Sequence, residues 1–244
     1  MSSILGRVQR VRHELKFRDL RVARVQDVTP HLRAVTFTDE SLADFVSPSF
    51  DDHVKLFIDT GGGEPARRDY TPRHFDNAAR ELTLEFVLHG DGPAAEWAAQ
   101  AAPGQQVRIG GPRGSFLIPL DYDWHLLVGD ETALPAIARR LEEMPTGARV
   151  QVLLQVPDVA DRRALASAAN VQIAWVADGA ECLAWLRAWA LPAGEGYVWA
   201  AGEASEMAEL RRILVDEKGH DKRAIRAAAY WKRGASAHHE SLEG

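Results

Sequence analysis

The chain has 244 residues, which is enough for one large domain or two modest ones with proper cores. Its net charge of -6 argues against nucleic acid as a partner, because nucleic-acid-binding domains carry a basic surface. The single cysteine, Cys182, excludes a disulfide framework and an iron–sulfur cluster held by several thiolates of this chain. Its place among Leu183, Trp185 and Leu186, at helical spacing, predicts a buried core position.

The sequence carries no signal for a membrane. No apolar run approaches the length needed to cross a bilayer, and the first residues lack an apolar core followed by a small-residue cleavage site. We therefore expect a cytoplasmic protein without stable membrane insertion, and a monomer is the working expectation.

The first predicted element is a basic stretch from Arg7 to Arg24. It holds seven lysines and arginines against Glu14 and Asp19, and its apolar residues fall near helical spacing. We interpret it as a solvated amphipathic leader in preference to a membrane or targeting segment, because charge runs are weakly specific.

Short strand-like runs separated by turn residues follow and predict an antiparallel, Greek-key-like β-barrel domain over residues 1–121. After Pro119 the rhythm changes to strand, helix, strand, helix, which predicts a parallel sheet with helices on its faces over residues 122–244. The barrel runs are residues 21–27, 31–38, 53–59, 81–88 and 106–110. The later strands are residues 125–128, 150–156, 171–176 and 197–201, and the helices are residues 133–144, 162–168, 181–190 and 205–217.

The hexapeptide RDYTPR at residues 68–73 has the side chains that a flavin dinucleotide needs. Arginine forks match pyrophosphate oxygens, a tyrosine ring can lie against an isoalloxazine, and a threonine hydroxyl can bond a flavin ring nitrogen. Taken alone, the hexapeptide is equally consistent with a charged edge strand that happens to hold one tyrosine.

A second segment, HGDGPAAEWA at residues 89–98, reads as a glycine turn that leads from a strand into a helix. Gly90 and Gly92 allow close approach of the backbone, Pro93 suits the first helical turn, and free amides there can hold a diphosphate. The alternative is a plain strand-to-helix connection.

Two further segments, residues 129–135 and 201–203, end predicted parallel strands, where ligands bind in open α/β sheets. Asp130 or Thr132 is expected to cap the helix that begins at Ala133. No GxGxxG follows a strand, so local sequence alone does not establish nicotinamide binding. The alternative role of Glu203 is that of an acid favoured at a helix N-terminus.

Five segments in this order resemble the siderophore-interacting protein family, flavin-dependent ferric-siderophore reductases in the ferredoxin reductase superfamily. They are DHVKLF at residues 52–57, RDYTPR at 68–73, HGDGPAAEW at 89–97, GDETALPA at 129–136 and YWKRG at 230–234. The resemblance reaches from about residue 20 to residue 234. The chain departs from the family pattern at Ala229, where glycine is usual, and at Ala95, where many relatives carry serine.

The resemblance implies hydride transfer from NADPH or NADH to FAD and single-electron transfer to a ferric siderophore, which releases ferrous iron without acid–base catalysis by a side chain. A barrel of the ferredoxin-reductase type would bind FAD, and the C-terminal segment would return to the flavin. FAD would be held by Arg68, Tyr70, Thr71, Arg73, Val87, His89, Gly92, Pro93, Ala94, Trp97 and Trp231. The donor would meet Asp130, Thr132, Ala133, Gly202 and Glu203, and the siderophore would meet Lys55, Arg113, Lys232 and Arg233.

Several alternatives stay open. Arg162 and Arg163 favour NADPH whereas Asp158 and Asp161 favour NADH, with a slight preference for NADPH. The electron acceptor could instead be a small carrier protein, or the chain could bind siderophores without turnover. The nine histidines are scattered, so a metal site in the protein itself is not expected.

Overall fold

The structure is a computed structural model that describes residues 7–88, 92–234 and 240–241. The chain forms two compact units. The first runs from Val8 to Ile118, and the second runs from Pro119 onward and includes Arg7.

The first unit is built on a seven-stranded antiparallel sheet beside a small two-stranded sheet. Its elements are β1 (Gln9–Arg12), β2 (Phe17–Thr29), β3 (Leu32–Thr38), β4 (Val54–Ile58), β5 (Ala66–Tyr70), β6 (His74–Asp76), β7 (Glu81–Val87), α1 (Pro93–Ala99), β8 (Gln106–Gly110) and β9 (Gly114–Leu117). The strand order is β5-β4-β8-β2-β3-β7-β6, and β1 pairs with β9.

The large sheet is strongly curled, as its topology requires. Its two edge strands, β5 and β6, are joined by only three residues, 71–73. Four Cα steps from Tyr70 to His74 span at most about 14 Å. The edges of a flat seven-stranded sheet would lie about 29 Å apart at the usual strand spacing. The sheet therefore closes into a half-barrel with residues 71–73 at the gap.

The core of this unit fills the inside of the half-barrel. Alternate residues of β4, namely Val54, Leu56 and Ile58, are buried, as period-two side-chain alternation requires. Helix α1 packs onto the same core through Trp97, whose ring stacks on Phe37 with centroids 6.1 Å apart. This packing fixes the position of α1 relative to the sheet.

The second unit is a five-stranded parallel sheet with helices, joined by a short antiparallel edge strand. Its elements are β10 (Trp124–Asp130), α2 (Leu134–Glu143), β11 (Arg149–Gln155), β12 (Asn170–Val176), α3 (Gly179–Ala188), β13 (Gly196–Glu203), α4 (Ala204–Arg212), β14 (Ile225–Trp231) and β15 (Glu240–Ser241). The strand order is β12-β11-β10-β13-β14-β15. The direction of strand addition reverses between β10 and β13, so the topological switch point of the sheet lies between these two strands.

Two glycines set close contacts in this sheet. A Cβ at Gly129, near the end of β10, would lie 2.4 Å from the Ala133 Cβ, so glycine allows the start of α2 to approach the strand. A Cβ at Gly196 would lie 1.9 Å from the ring of Trp124 on the neighbouring strand. Both strands are buried along their whole length.

The fold class predicted from the sequence is confirmed, whereas two local predictions are wrong. The basic stretch from Arg7 to Arg24 contains β1 and the first half of β2, because its residues pair with β9 and β8 and are not free to form a helix. The helix predicted over residues 162–168 is absent from this described segment, which is irregular after a short turn of 3-10 helix at Val159–Asp161.

Cys182 is buried on α3, as predicted, and burial raises the pKa of its thiol to about 12. Within the described residues, the helices are all too short or too polar to span a bilayer.

Candidate functional site

The RDYTPR segment lies at the gap of the half-barrel. β5 supplies Arg68 and Tyr70 on the inner face, paired with Leu56 and Val54 of β4. Residues 71–73 then bridge to β7, where the Arg73 amide donates to the Thr83 carbonyl at 3.0 Å. The strand therefore ends at Tyr70.

The aromatic ring of the segment is firmly packed. The centroid of Tyr70 lies 4.3 Å from that of Phe86 on β7, on the other side of the gap. Burial raises the pKa of the Tyr70 phenol, so the ring is neutral at any physiological pH. Thr71 is 7% exposed, and among the described residues its hydroxyl has no hydrogen-bond partner. An aromatic ring can pack against a flavin, and a hydroxyl beside it can form a hydrogen bond with the polar edge of the flavin.

The two arginines of the segment have different surroundings. Arg68 donates one hydrogen bond from Nη1 to the Arg67 carbonyl at 2.9 Å, which leaves most of the N–H donors of its guanidinium group for a ligand. The Nε atom of Arg73 lies 3.5 Å from Oε1 of Glu85, a buried carboxylate on β7. Arg68 is therefore the stronger candidate for a pyrophosphate contact, and the pairing of Arg73 with Glu85 is a feature that sequence reasoning missed.

The second predicted flavin segment is described only in part. His89, which the family resemblance assigns to FAD, lies outside the described residues, as do Gly90 and Asp91. Helix α1 begins at Pro93 behind Gly92, and no described side chain caps its N-terminus. A Cβ at Gly92 would meet no atom within 4 Å among the residues that the structure describes.

The other residues assigned to FAD near this turn serve packing. Ala94 is buried, Val87 ends β7 opposite Leu32, and Trp97 is held against Phe37 and Phe86. These side chains hold α1 on the barrel, and any contact from Pro93 or Ala94 to a ligand would come from the helix terminus itself. The gap residues and the start of α1 fit a flavin dinucleotide, because they offer an aromatic ring, a hydroxyl, a guanidinium group and a helix start that no described side chain caps.

In the second unit, Asp130 ends β10 and is buried. Its Oδ1 accepts hydrogen bonds from the amide and hydroxyl of Thr132, at 2.9 and 2.5 Å, and its Oδ2 accepts from the indole Nε1 of Trp231 at 2.6 Å. Burial raises the pKa of Asp130, and the Thr132 and Trp231 bonds partly offset this effect. The expected capping of α2 by Asp130 or Thr132 is wrong, because the helix follows Ala133 and no side chain caps it.

Glu203 ends β13 and is also buried. Its Oε2 accepts from the amides of Ser205 and Glu206, at 2.7 and 3.1 Å, and from the Ser205 hydroxyl, while its Oε1 accepts from the Arg233 amide at 3.2 Å. Burial opposes its charge, but these hydrogen bonds lower the pKa of Glu203 overall. The helix-terminus role of Glu203 is thus present in the structure, together with a bond to the chain beyond β14.

The remaining donor-site residues pack closely around these carboxylates. Ala133 is fully buried against Gly129, so only its backbone could meet a ligand. Gly202 lies beside Asp130, because a Cβ there would be 2.9 Å from the Asp130 Oδ2.

The four basic residues expected to meet a siderophore occupy exposed or half-exposed positions in both units. Lys55 lies on the outer face of β4 and forms an ion pair with Asp69 at 2.6 Å. Arg113 is exposed, and no ion-pair partner for it is found among the described residues. Lys232 and Arg233 follow β14 and are exposed.

The loop that carries Arg113 is held in place by a buried carboxylate that sequence reasoning did not single out. Asp52 Oδ2 accepts from the hydroxyls of Ser47 and Ser115, at 3.0 and 2.9 Å. Ser115 also lies 2.8 Å from His13 Nε2, and the His13 amide donates to the Arg113 carbonyl at 2.9 Å. These bonds give Arg113 a fixed backbone.

Comparison with solved structures defines the class of fold. A ferredoxin reductase of carbazole 1,9a-dioxygenase aligns with 86% of this chain and 68% of its own, with a TM-score of 0.68 at 18% identity. This likeness shows the fold alone. The half-barrel and the parallel sheet are therefore the two units of a ferredoxin-reductase-like fold.

Closer relatives define the family. Residues 122–234 match the siderophore-interacting protein family, and residues 21–66 and 60–116 match the siderophore-interacting FAD-binding domain. An NADPH-dependent ferric-chelate reductase of Escherichia coli K12 is 36% identical and covers 91% of this chain and 96% of its own. A siderophore utilization protein from T. fusca is 35% identical with a TM-score of 0.88, covering 95% of this chain and 98% of that one. The chain belongs to the siderophore-interacting protein family.

Proposed function

We propose that this chain is a cytoplasmic FAD-dependent reductase that takes electrons from NAD(P)H and delivers them to a ferric siderophore, from which ferrous iron is released. FAD, when bound, accepts the two electrons of a hydride and passes them on singly. Ferrous iron binds hard oxygen ligands more weakly than ferric iron, so reduction frees the metal. Membership of a family that carries a siderophore-interacting FAD-binding domain supports the proposal.

The observation that carries the proposal is the set of groups at the gap of the half-barrel. Arg68 keeps most of its donors for an anion, the Tyr70 ring is neutral and braced by Phe86, and the Thr71 hydroxyl is available. These three residues would bind the pyrophosphate, brace the ring system and orient its polar edge, respectively. Residues 1–121 would thus form the FAD-binding domain.

Residues 122–244 would form the donor-binding domain, with the nicotinamide at the carboxyl ends of β10 and β13. The reversal of strand order there makes this edge the expected ligand crevice. The name of the Escherichia coli relative favours NADPH as the donor, as do Arg162 and Arg163, which follow β11.

Capture of the substrate would rest on Lys55, Arg113, Lys232 and Arg233. Ferric catecholate complexes are anionic, and exposed cations on either unit raise the concentration of an anion near an otherwise acidic protein. Arg113 is a strong candidate among the four, because its charge is exposed and its backbone is anchored.

The test is a visible absorption spectrum of the purified protein after reconstitution with FAD. We expect flavin bands that are lost on anaerobic addition of NADPH or NADH and return on addition of a ferric catecholate, with ferrous iron trapped by a chromogenic chelator. A protein that stays colourless with FAD would contradict the proposal.

The same preparation, assayed also with flavodoxin and ferredoxin as acceptors, separates the two alternatives. Binding of the ferric chelate without oxidation of NAD(P)H would indicate a siderophore carrier. Rapid reduction of flavodoxin or ferredoxin with no turnover of ferric chelates would indicate a protein acceptor.

A further inference from the structure

Two buried carboxylates at the switch point of the parallel sheet hold the same segment of chain. Asp130, at the end of β10, accepts a hydrogen bond from the Trp231 indole at 2.6 Å. Glu203, at the end of β13, accepts one from the Arg233 amide at 3.2 Å. Trp231 and Arg233 belong to the end of β14 and the residues after it, so this segment is fixed by two anchors that lie on the two central strands.

The Trp231 side chain extends to β10 because of a bulge between β13 and β14 and because residue 202 is a glycine. β13 lies between β14 and β10, and the register of β13 and β14 shifts so that Gly202 pairs with Ala229 while Glu203 pairs with Trp231. Such a bulge re-aims a side chain. Gly202 has no side chain to block the path, and a Cβ there would lie 2.9 Å from the Asp130 Oδ2 that receives the indole N–H.

The oxygens of Asp130 are engaged by the protein itself. Thr132 donates twice to Oδ1 and Trp231 donates to Oδ2, so three donors already surround a carboxylate that is 7% exposed. A carboxylate in this state orients its donors and has little capacity left for a ligand. Trp231 is half-buried and therefore retains some accessible surface beside the ends of β10 and β13 to which its segment is anchored.

We propose that Trp231 is the surface against which the nicotinamide ring packs, and that Asp130 is the positioning residue that holds its indole there. The inference rests on the proposed function and extends it, because it assigns Trp231 to the donor and not to the flavin. A ring already fixed in place loses less conformational entropy on binding, so the bond from Trp231 to Asp130 strengthens donor binding by preorganisation.

The test uses Trp231→Phe, which keeps an aromatic ring without the N–H, and Asp130→Leu, which keeps the approximate shape but removes both acceptor oxygens. Calorimetric titration of the purified variants with NADP+ is compared with titration by 2′,5′-ADP, which has no nicotinamide. We expect the Kd for NADP+ to rise roughly three- to tenfold in each variant, as for loss of one ordered aromatic contact, and the Kd for 2′,5′-ADP to stay unchanged. If the wild type prefers NADH, NAD+ and ADP-ribose replace these probes.

The double variant and the kinetics sharpen the test. Because both substitutions break one bond, the double variant should bind NADP+ no more weakly than the weaker single variant. The KM for the donor should rise while kcat changes less than about twofold, since the ring would contribute to binding in the ground and transition states alike. Additive losses, or equal losses for NADP+ and 2′,5′-ADP, would overturn the positioning role.

Trp185→Phe provides the matched control. Trp185 lies on α3, stacks on Trp189 and is half-exposed, so the same substitution there should leave donor binding unchanged. Hydrogen exchange of the Trp231 indole N–H, identified by its loss in Trp231→Phe, should be slow in the wild type and fast in Asp130→Leu. Fast exchange in the wild type would show that the bond does not hold the ring and would overturn the inference.

Failure of the inference is distinguishable from failure of the proposed function. A wild type that reduces ferric chelates with NAD(P)H while both variants bind the donor normally would refute only the role of Asp130 and Trp231. A wild type that neither binds a nicotinamide dinucleotide nor oxidises one would refute both.

Discussion

At the scale of single residues, the two neighbouring arginines of β5 provide a direct test of the flavin assignment. Arg68 shares the inner face with Tyr70, whereas Arg67 lies on the outer face near Glu64 and over the ring of Phe57. We predict that Arg68→Ala raises the Kd for FAD about 10- to 100-fold, the range expected for loss of a charged hydrogen bond. Fluorescence titration of the apoprotein with FAD measures this change. Arg67→Ala is the control, and equal losses in both variants would contradict the assignment.

A second residue-scale prediction concerns capture of the substrate. Arg113 is exposed and unpaired among the described residues, whereas Arg108 donates two hydrogen bonds to Asp19 at 2.7 and 2.8 Å. We predict that Arg113→Gln raises the KM for an anionic ferric catecholate by about three- to tenfold and weakens its dependence on salt, because an attractive charge is lost. Steady-state assays at two salt concentrations measure both effects.

The control for that prediction is Arg108→Gln, which removes the same charge from an arginine already neutralised by Asp19. Its KM should stay close to that of the wild type. A KM that rises equally in the two variants would mean that overall charge, and not Arg113, sets substrate affinity.

At the scale of elements, the pairing of β10 with β13 depends on a missing side chain. Gly196 lies opposite Trp124, and a Cβ at this glycine would be 1.9 Å from the buried indole. We predict that Gly196→Ala lowers the free energy of unfolding by about 1–3 kcal/mol, the usual cost of overpacking a core. Urea unfolding followed by circular dichroism measures the change. Gly62→Ala, where no atom lies within 4 Å of the new methyl group, should change stability by less than about 0.5 kcal/mol.

Prediction from sequence succeeded best for elements whose pattern is local. The strand predicted over residues 106–110 matches β8, because alternation of apolar and polar residues depends on near neighbours only. β14 was missed, because Ile225–Trp231 is rich in alanine and has no strong strand pattern. The basic stretch from Arg7 to Arg24 was misinterpreted for a related reason, since its strands are defined by distant partners on β8 and β9.

At the scale of the whole molecule, stability should depend on pH through a buried histidine. Burial, with a further contribution from the charge of Arg140, lowers the pKa of His125 to about 4. In the unfolded chain this pKa is about 6.5. Between these values the unfolded state binds more protons than the folded state, so the free energy of unfolding falls as pH falls from about 6.5 to about 4.

The free energy of unfolding should fall by about 3 kcal/mol in total, and this fall should be complete below pH 4. His125→Gln, which can still donate to the Leu120 carbonyl, should lose correspondingly less stability over this range. Urea unfolding at several pH values, followed by tryptophan fluorescence, measures the difference, because six of the seven tryptophans lie between residues 119 and 244. Parallel pH profiles for the two proteins would refute the prediction.

The residues of the candidate site were predictable from the sequence, but the contacts that they make were not. The RDYTPR segment and the strand ends at Asp130 and Glu203 stand out in the sequence because their residue types suit a dinucleotide. Their partners do not stand out. Arg73 is paired with Glu85, and Asp130 with Trp231, which is 101 residues further along the chain.

The sequence by itself determined the order of a curled antiparallel sheet and a parallel sheet, the buried position of Cys182 and the family, because each depends on local periodicity or on short motifs. Only the tertiary structure decided that Arg73 is paired with Glu85 while Arg68 makes a single backbone hydrogen bond, and that Trp231 is bonded to Asp130. The physical reason is that such contacts depend on strand order, register and a bulge between β13 and β14. These features arise from packing of the whole sheet, and no local segment of the chain encodes them.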